Sequence, residues 1–228
     1  MNGFQVGSGV GGQMNTSGHS YIDYMFSRAP GFFDVVCYTG DATSSRSINH
    51  NLGIAPELVI VKRRNVADEW TVRAPSTTGE LYLNRTNAQT ASFSYLGTTT
   101  ASVFNLISAG TQVNGSGSTY VTYLFATVSG VSKVGSYTGT GATQTIDCGF
   151  TGGARFVLIK RINAVGDWYV WDTARGMVAG TDPYLFLNST AIEVNTNSVY
   201  TTGVGFQIVS TAAGINASGG SYIYLAIS

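Results

Sequence analysis

Hydrophobic positions along this chain fall in short runs rather than at helical spacing. Runs of four to eight apolar, aromatic and β-branched residues alternate with Gly, Asn, Ser and Asp, as at residues 57–64 and 119–127. This pattern is typical of strands joined by tight turns, because a helix would need apolar residues three and four positions apart over a longer stretch. Strands are predicted near residues 33–38, 46–49, 57–64, 69–73, 80–84, 92–95, 102–107 and 119–127, and again near 133–137, 144–147, 155–162, 167–172, 184–187, 198–200, 204–210 and 221–227.

The same pattern occurs twice. Residues 58–63 read Leu-Val-Ile-Val-Lys-Arg and precede Trp70, while residues 156–161 read Phe-Val-Leu-Ile-Lys-Arg and precede Trp168. A period of about 100 residues corresponds to a domain rather than to one turn of a solenoid. Further matches at this period are residues 38–40 with 137–139, 81–84 with 185–188, and 114–120 with 216–222.

This organisation predicts an all-β fold of tandem antiparallel β-sandwich modules, of jelly-roll or lectin-like type. We expect one module at residues 31–130 and a second at residues 131–228, because strands spaced by about 8–12 residues with turns between them form sandwiches or barrels. The continuous apolar runs at 58–61 and 156–159 predict central strands, with one face in the module core and the other covered by a loop or a neighbouring module. Residues 174–183 have no counterpart in the first repeat and are expected to form a surface loop.

Residues 1–30 match the end of the repeat. Asn15-Thr-Ser-Gly followed by Tyr21-Ile22 corresponds to residues 114–121 and to residues 216–223. We therefore interpret residues 1–30 as the closing strands of a partial upstream repeat and expect paired strands docked at the start of repeat one. Two explanations remain open. The chain is the C-terminal piece of a longer array, or the repeat is permuted and its other strands come from elsewhere in this chain or from a partner chain.

Composition narrows the range of partners. The formal net charge is zero and only 11% of residues are charged, which argues against nucleic-acid binding, since that needs clustered excess Lys and Arg. Low charge also leaves little repulsion to keep a free monomer soluble, so burial in a homo-oligomer is expected. The chain has no apolar run of about 18 residues, so membrane insertion is not expected.

The repeat resembles a domain found in tail-fibre and other virion appendage proteins of tailed phages. The resemblance is carried by Tyr-Thr-Gly at 38–40, the run Ile48-Asn-His-Asn-Leu-Gly-Ile-Ala-Pro-Glu-Leu58, Val-Lys-Arg-Arg at 61–64, Asp68-Glu-Trp70 and Leu81-Tyr-Leu-Asn84. It implies a structural virion protein that is trimeric, contacts other virion proteins and has no catalytic site or cofactor. The resemblance therefore predicts a module pair of a phage fibre or appendage, located in the virion, with host-surface polysaccharide as a further partner. A capsid-decorating or cement protein is the alternative, and a glycan depolymerase is less favoured.

The candidate receptor site lies in the second repeat. Trp171 stands where the first repeat has Arg73, so the shared framework does not require an indole there, and we expect it to be exposed. With Asp172 and Arg175 it would combine an aromatic face, a carboxylate and a guanidinium, which suits glycan recognition. Trp70 and Trp168 occupy equivalent positions and are instead interpreted as core residues. His19 and His50 are far apart and lack neighbours at ligand spacing, so no metal site is predicted.

Overall fold

The computed structural model describes residues 4, 6 and 14–228, and in this part of the chain the protein is all-β. In the first half, residues 31–130, the strands are β1 (Phe33–Thr39), β2 (Arg46–Asn49), β3 (Leu58–Arg63), β4 (Trp70–Arg73), β5 (Leu81–Tyr82), β6 (Leu96–Thr99), β7 (Val103–Leu106) and β8 (Thr119–Phe125). In the second half, residues 131–228, they are β9 (Ser132–Thr138), β10 (Gln144–Asp147), β11 (Phe156–Arg161), β12 (Trp168–Asp172), β13 (Asp182–Phe186), β14 (Val194–Thr196), β15 (Val199–Thr201), β16 (Gly205–Ile208) and β17 (Ser221–Ile227). The short helix α1 (Ala213–Asn216) precedes β17. The all-β prediction is confirmed, and no helix in these ranges is long and apolar enough to cross a membrane.

The two halves have corresponding sheet orders, and the second has one additional edge strand, β14. The first has a large sheet in the order β1-β8-β3-β4-β5 and a small sheet in the order β2-β7-β6. The second has a large sheet in the order β9-β17-β11-β12-β13-β14 and a small sheet in the order β10-β16-β15. All ladders between these strands are antiparallel, and each lies within one half. The domain boundaries after residues 30 and 130 stay a prediction.

Strand alternation explains where the apolar side chains lie. In β3, Leu58 and Ile60 join a cluster with side chains of the second half, while Val59 and Val61 join a cluster with β6 and β7 of the small sheet. Successive side chains of a strand point to opposite faces, so a strand that is apolar at every position is buried on both sides. The expectation that this run forms a central strand covered on its second face is confirmed.

Three apolar clusters connect the sheets. One lies between the large and small sheets of the first half, and a second lies between the large and small sheets of the second half. The third joins the outer faces of the two large sheets and is called the central cluster here. Its buried members are Phe33, Leu58, Ile60, Val72, Ala74, Leu81, Phe125, Val134, Leu158, Ile162, Trp168, Val170, Ile223 and Leu225. The two halves therefore share a core.

Hydrogen bonds reinforce this contact between the halves. The Trp168 indole N–H donates to the Tyr82 carbonyl at 2.9 Å, and the Lys160 ammonium donates to the Thr86 carbonyl at 2.9 Å. The Gly166 amide donates to the same Thr86 carbonyl, also at 2.9 Å. The end of β5 and the segment after it thus lie against the second half, whose groups donate to the Tyr82 and Thr86 carbonyls.

Lys160 gives this contact a pH dependence. Its side chain is fully buried, and burial lowers the pKa of its ammonium from 10.5 to about 8. Between pH 8 and 10 the unfolded chain keeps a proton that the folded chain loses, so the unfolding free energy should rise with pH, by at most about 1.4 kcal/mol per pH unit. We expect Lys160→Met to remove this rise in urea unfolding at pH 7 to 9.5. Lys62→Met is the matched control at the half-buried counterpart in β3. An equal rise in the Lys160→Met protein would contradict the assignment.

The N-terminal segment differs from the prediction. Residues 14–28 form no strand pairs, and the rest of the predicted 1–30 unit lies largely outside the described residues. The segment instead docks by one face. The Tyr24 ring contacts Phe156 at a centroid distance of 5.2 Å, and the Phe26 ring contacts Phe125 at 5.4 Å. Pairing within this chain is blocked because β8 already fills the place between β1 and β3.

The 174–183 insertion is also less exposed than predicted. Met177 is fully buried in the cluster of the second half, and β13 already begins at Asp182. Residues 178–181 are exposed, as expected of a surface loop, whereas Met177 fills part of the core and residues 182–183 already belong to β13.

Candidate functional site

The structure contradicts the predicted exposure of Trp171. This side chain is 0% exposed and belongs to the apolar cluster of the second half. Its indole N–H donates to the Ser198 hydroxyl at 3.2 Å. Alternation along β12 directs Trp171 towards the small sheet, so its ring is not available to stack on a sugar.

Asp172 and Arg175 do lie together, but they bind the N-terminal segment. The Arg175 Nε donates to Asp172 Oδ2 at 2.6 Å, and Arg175 Nη1 pairs with Glu193 at 3.1 Å. The Tyr24 hydroxyl donates to Asp172 Oδ2 at 2.8 Å and accepts from Arg175 Nη2 at 3.1 Å. Burial, with the hydrogen bond to Asp172, raises the pKa of Tyr24 well above its usual value. These groups fasten residues 14–28 to the second half, and most of their hydrogen-bonding capacity is used in doing so.

The more accessible aromatic surface lies next to Trp171. Tyr169, Tyr184 and Phe186 are half-buried side chains on the same face of β12 and β13, and we call them the aromatic platform. Tyr169 faces Phe186 across the ladder, and Tyr184 faces Trp171. Ring centroids are 4.9 Å apart for Tyr169 and Phe186, 5.3 Å for Tyr184 and Phe186, and 5.4 Å for Tyr169 and Tyr184.

The first half lacks this surface. By strand register, Thr71 and Tyr82 stand where the second half has Tyr169 and Phe186. Arg73 takes the place of Trp171, and its guanidinium lies over the Phe93 ring at 4.1 Å. The segment before β6 thus reaches this face in the first half. The common framework therefore does not demand the aromatic platform.

Polar groups border the aromatic platform. The Asn188 amide donates to the Asp167 carboxylate at 2.8 Å. Burial, followed by the charge of Asp167, raises the pKa of Tyr169 to about 12, and the same two causes raise the pKa of Tyr184. Helix α1 closes one side, because a side chain at Gly214 would stand 2.3 Å from the Tyr169 hydroxyl. The platform thus combines aromatic rings with a nearby carboxylate and two phenolic hydroxyls.

A second feature is an apolar cavity between the large sheets. Its volume is about 390 Å³, and its walls come from both halves and from the N-terminal segment. Tyr24 and Phe26 contribute from that segment, and Trp70, Phe156 and Leu187 are among the other lining residues. The central cluster is therefore less tightly filled here than around Trp168. Sequence reasoning missed both features, since each depends on how far one sheet covers another.

His50, Asp167 and Asp172 each make separate structural contacts. No group of three His, Cys, Asp or Glu side chains within residues 14–228 could hold a metal ion. The His50 ring accepts from the Leu52 amide at 3.2 Å and contacts the Thr100 carbonyl at 3.2 Å, so it has a structural role. Asp167 and Asp172 belong to separate clusters, the first with Asn188 and the second with Arg175.

Comparison with known proteins gives a family without a described activity. Residues 29–228 match the model of a domain of unknown function, DUF7483. No match was found among curated proteins or among solved structures. Since the match spans most of the sequence, the chain belongs to the DUF7483 family.

Proposed function

We propose that the protein is a non-enzymatic structural virion protein, a module pair of a phage tail fibre or appendage that binds host-surface glycan. The observation that carries the glycan-binding part is the aromatic platform, which is present in the second half and absent from the equivalent face of the first. The virion part rests on the sequence resemblance. The low charge, 11% of residues, supports the proposed homotrimer, because symmetric association is the usual way to bury such a surface.

The interpretation as tandem β-sandwich modules supports a role as a rigid spacer. In each half the large and small sheets contribute to one apolar cluster, as the two layers of a sandwich do. The central cluster and the hydrogen bonds of Trp168 and Lys160 then fix one half against the other. Such a unit transmits force without bending, which a fibre needs, and it presents the aromatic platform in a constant orientation.

The aromatic platform has the chemistry for polar glycan recognition. Aromatic faces pack on the C–H faces of a sugar ring, and the hydroxyls of Tyr169 and Tyr184 can exchange hydrogen bonds with sugar hydroxyls. Asp167 supplies an acceptor at the border. The strands hold the rings in place before binding, so little side-chain entropy is lost when a ligand arrives.

The test is binding of the full chain to a panel of purified bacterial capsular and lipopolysaccharide glycans. Tyr184→Ala combined with Phe186→Ala should weaken binding by about 5- to 150-fold, since each lost aromatic contact contributes about 0.5–1.5 kcal/mol. Tyr82→Ala is the matched control, because Tyr82 is the counterpart of Phe186 in the first half. Undiminished binding by the folded double variant would eliminate the site. Release of reducing sugar by the unmodified chain would instead favour an enzyme.

The virion part has a separate test. Antibody labelling of phage particles viewed by electron microscopy should place the protein on a tail fibre or appendage. Labelling spread over the capsid lattice would replace this proposal with a decorating protein. Absence of label from particles would remove the virion location altogether.

A further inference from the structure

Residues 21–26 have the sequence of the strand that completes each half. They read Tyr-Ile-Asp-Tyr-Met-Phe, while β8 contains Tyr-Val-Thr-Tyr-Leu-Phe at 120–125 and β17 contains Tyr-Ile-Tyr-Leu-Ala-Ile at 222–227. In each half this closing strand lies inside the large sheet, between β1 and β3 or between β9 and β11. Residues 21–26 have no such neighbours in the described part of the chain.

The turn before the segment has the same geometry as the turns before β8 and β17. The Thr16 amide donates to the Tyr21 hydroxyl at 2.9 Å. At the equivalent places, the Gly115 amide donates to Tyr120 and the Ala217 amide donates to Tyr222, both at 2.8 Å. The Gly in each turn has positive φ, at 81° for Gly18, 68° for Gly117 and 73° for Gly219. The segment therefore has the local structure of a closing strand without the sheet around it.

Exposure along the segment alternates as in a strand with one bare face. Tyr24 and Phe26 face the central cluster, as Tyr123 and Phe125 do in β8. The opposite side chains Tyr21 and Met25 are 44% and 67% exposed. Their counterparts in β8, Tyr120 and Leu124, are both 0% exposed because they lie under the small sheet. The bare face is thus the one that a small sheet covers in the complete halves.

We propose that residues 14–28 are a donated closing strand, and that the partner is a repeat of this same fold which lacks its own closing strand. The partner would offer a β1-like strand to one edge and a β3-like strand to the other, so the backbone groups of residues 19–26 would be paired on both sides. Its small sheet would cover Tyr21 and Met25. Docking of Tyr24 on the second half and of Phe26 on Phe125 of the first half would then join the partner repeat rigidly to this chain.

One residue indicates what the partner supplies. Asp23 is exposed and stands where β8 has the fully buried Thr122 and β17 has the buried Tyr224. A carboxylate moved into that position needs a cation or several hydrogen-bond donors, because an unpaired buried charge is strongly unfavourable. The partner repeat should therefore carry Lys, Arg or free N–H donors opposite Asp23. This proposal does not depend on glycan binding.

The test adds a repeat to the existing chain. Residues 31–112 of this protein, which contain β1 to β7, are placed directly before residue 14, followed by the rest of the chain. Met25 oxidation by peroxide and hydrogen exchange of residues 19–26 are compared with the unmodified chain, with the buried Met177 as internal reference. In the extended chain with Asp23→Thr, exchange should slow by at least about 100-fold, as in a strand of a folded unit, and Met25 should become as resistant as Met177.

Two substitutions in the extended chain test whether residues 19–26 pair with the added repeat. The extended chain that retains Asp23 should be protected less than its Asp23→Thr variant, because the added repeat has no group to match the charge, whereas Met25→Lys added to that variant should abolish the protection. Fast exchange both in the extended chain and in its Asp23→Thr variant would overturn the proposal, and so would an added segment that stays unfolded. Slow exchange in an unmodified chain that is oligomeric would also overturn it, since a second copy would then already cover the face.

Discussion

Replacing Trp168 by alanine should lower the unfolding free energy by about 3–5 kcal/mol, the usual cost of removing a buried large aromatic side chain. Trp168 is one of the largest fully buried side chains and lies in the central cluster. Its indole N–H also donates to the Tyr82 carbonyl of the other half. The substitution therefore opens a cavity at the contact between the two large sheets and removes one of the two donors to the Tyr82 carbonyl, which still accepts from the Arg85 amide at 3.1 Å.

Two further substitutions separate these causes. Trp168→Phe retains most of the apolar area but removes the donor, so a loss of about 1–2 kcal/mol is expected. Trp70→Ala acts at the equivalent position of the first half, where the ring is half-buried and lines the cavity, so it should cost less than Trp168→Ala. Urea unfolding of the full chain measures all three. Equal losses for the two alanine variants would show that the large sheets do not pack as described.

The strand pattern was predictable because short β-branched and apolar segments are separated by turn residues. The predicted ranges 46–49, 144–147 and 221–227 coincide with β2, β10 and β17. The prediction was wrong for residues 92–95, since β6 starts at Leu96. Residues 92–95 have the alternating composition of a strand, but the amides of Ser94 and Tyr95 bind the Glu80 carboxylate instead of a neighbouring strand. The local pattern of apolar and polar residues cannot show that the carboxylate of Glu80, more than ten residues earlier in the chain, accepts from these amides.

The site was harder to predict for a related reason. The difference between Trp171 and Arg73 correctly marked a face on which the halves diverge, but it could not show which ring of that face is buried. That depends on how far the small sheet and Met177 reach over β12 and β13. In the same way, repetition showed that residues 1–30 match the end of the repeat. It could not reveal that β8 already occupies the place where that segment would pair.

Replacing Glu80 by alanine should cost about 3–5 kcal/mol, because it would strip several backbone amides of their acceptor at once. Glu80 is fully buried, and its Oε1 accepts from the amides of Ser94 at 2.7 Å, Tyr95 at 2.6 Å and Leu96 at 3.2 Å. The Thr90 hydroxyl donates to Oε2 at 3.2 Å. These bonds fix the chain at the point where it enters β6, so the loss should appear first in the small sheet of the first half.

The second half offers an independent check, because Asp182 performs the same task at the start of β15. It accepts from the Ser198 amide, from the Ser198 hydroxyl at 2.7 Å and from the Val199 amide at 2.5 Å. Asp182→Ala should therefore speed hydrogen exchange in β15 and β16, while Glu80→Ala should speed it in β6 and β7. Glu57→Ala is the control, since exposed Glu57 accepts from a single amide, that of Thr127, at 2.7 Å and should cost no more than about 1 kcal/mol. If Glu80→Ala lowers the unfolding free energy no more than Glu57→Ala does, the Glu80 carboxylate does not stabilise the start of β6. The same role for Asp182 at the start of β15 would then lack support.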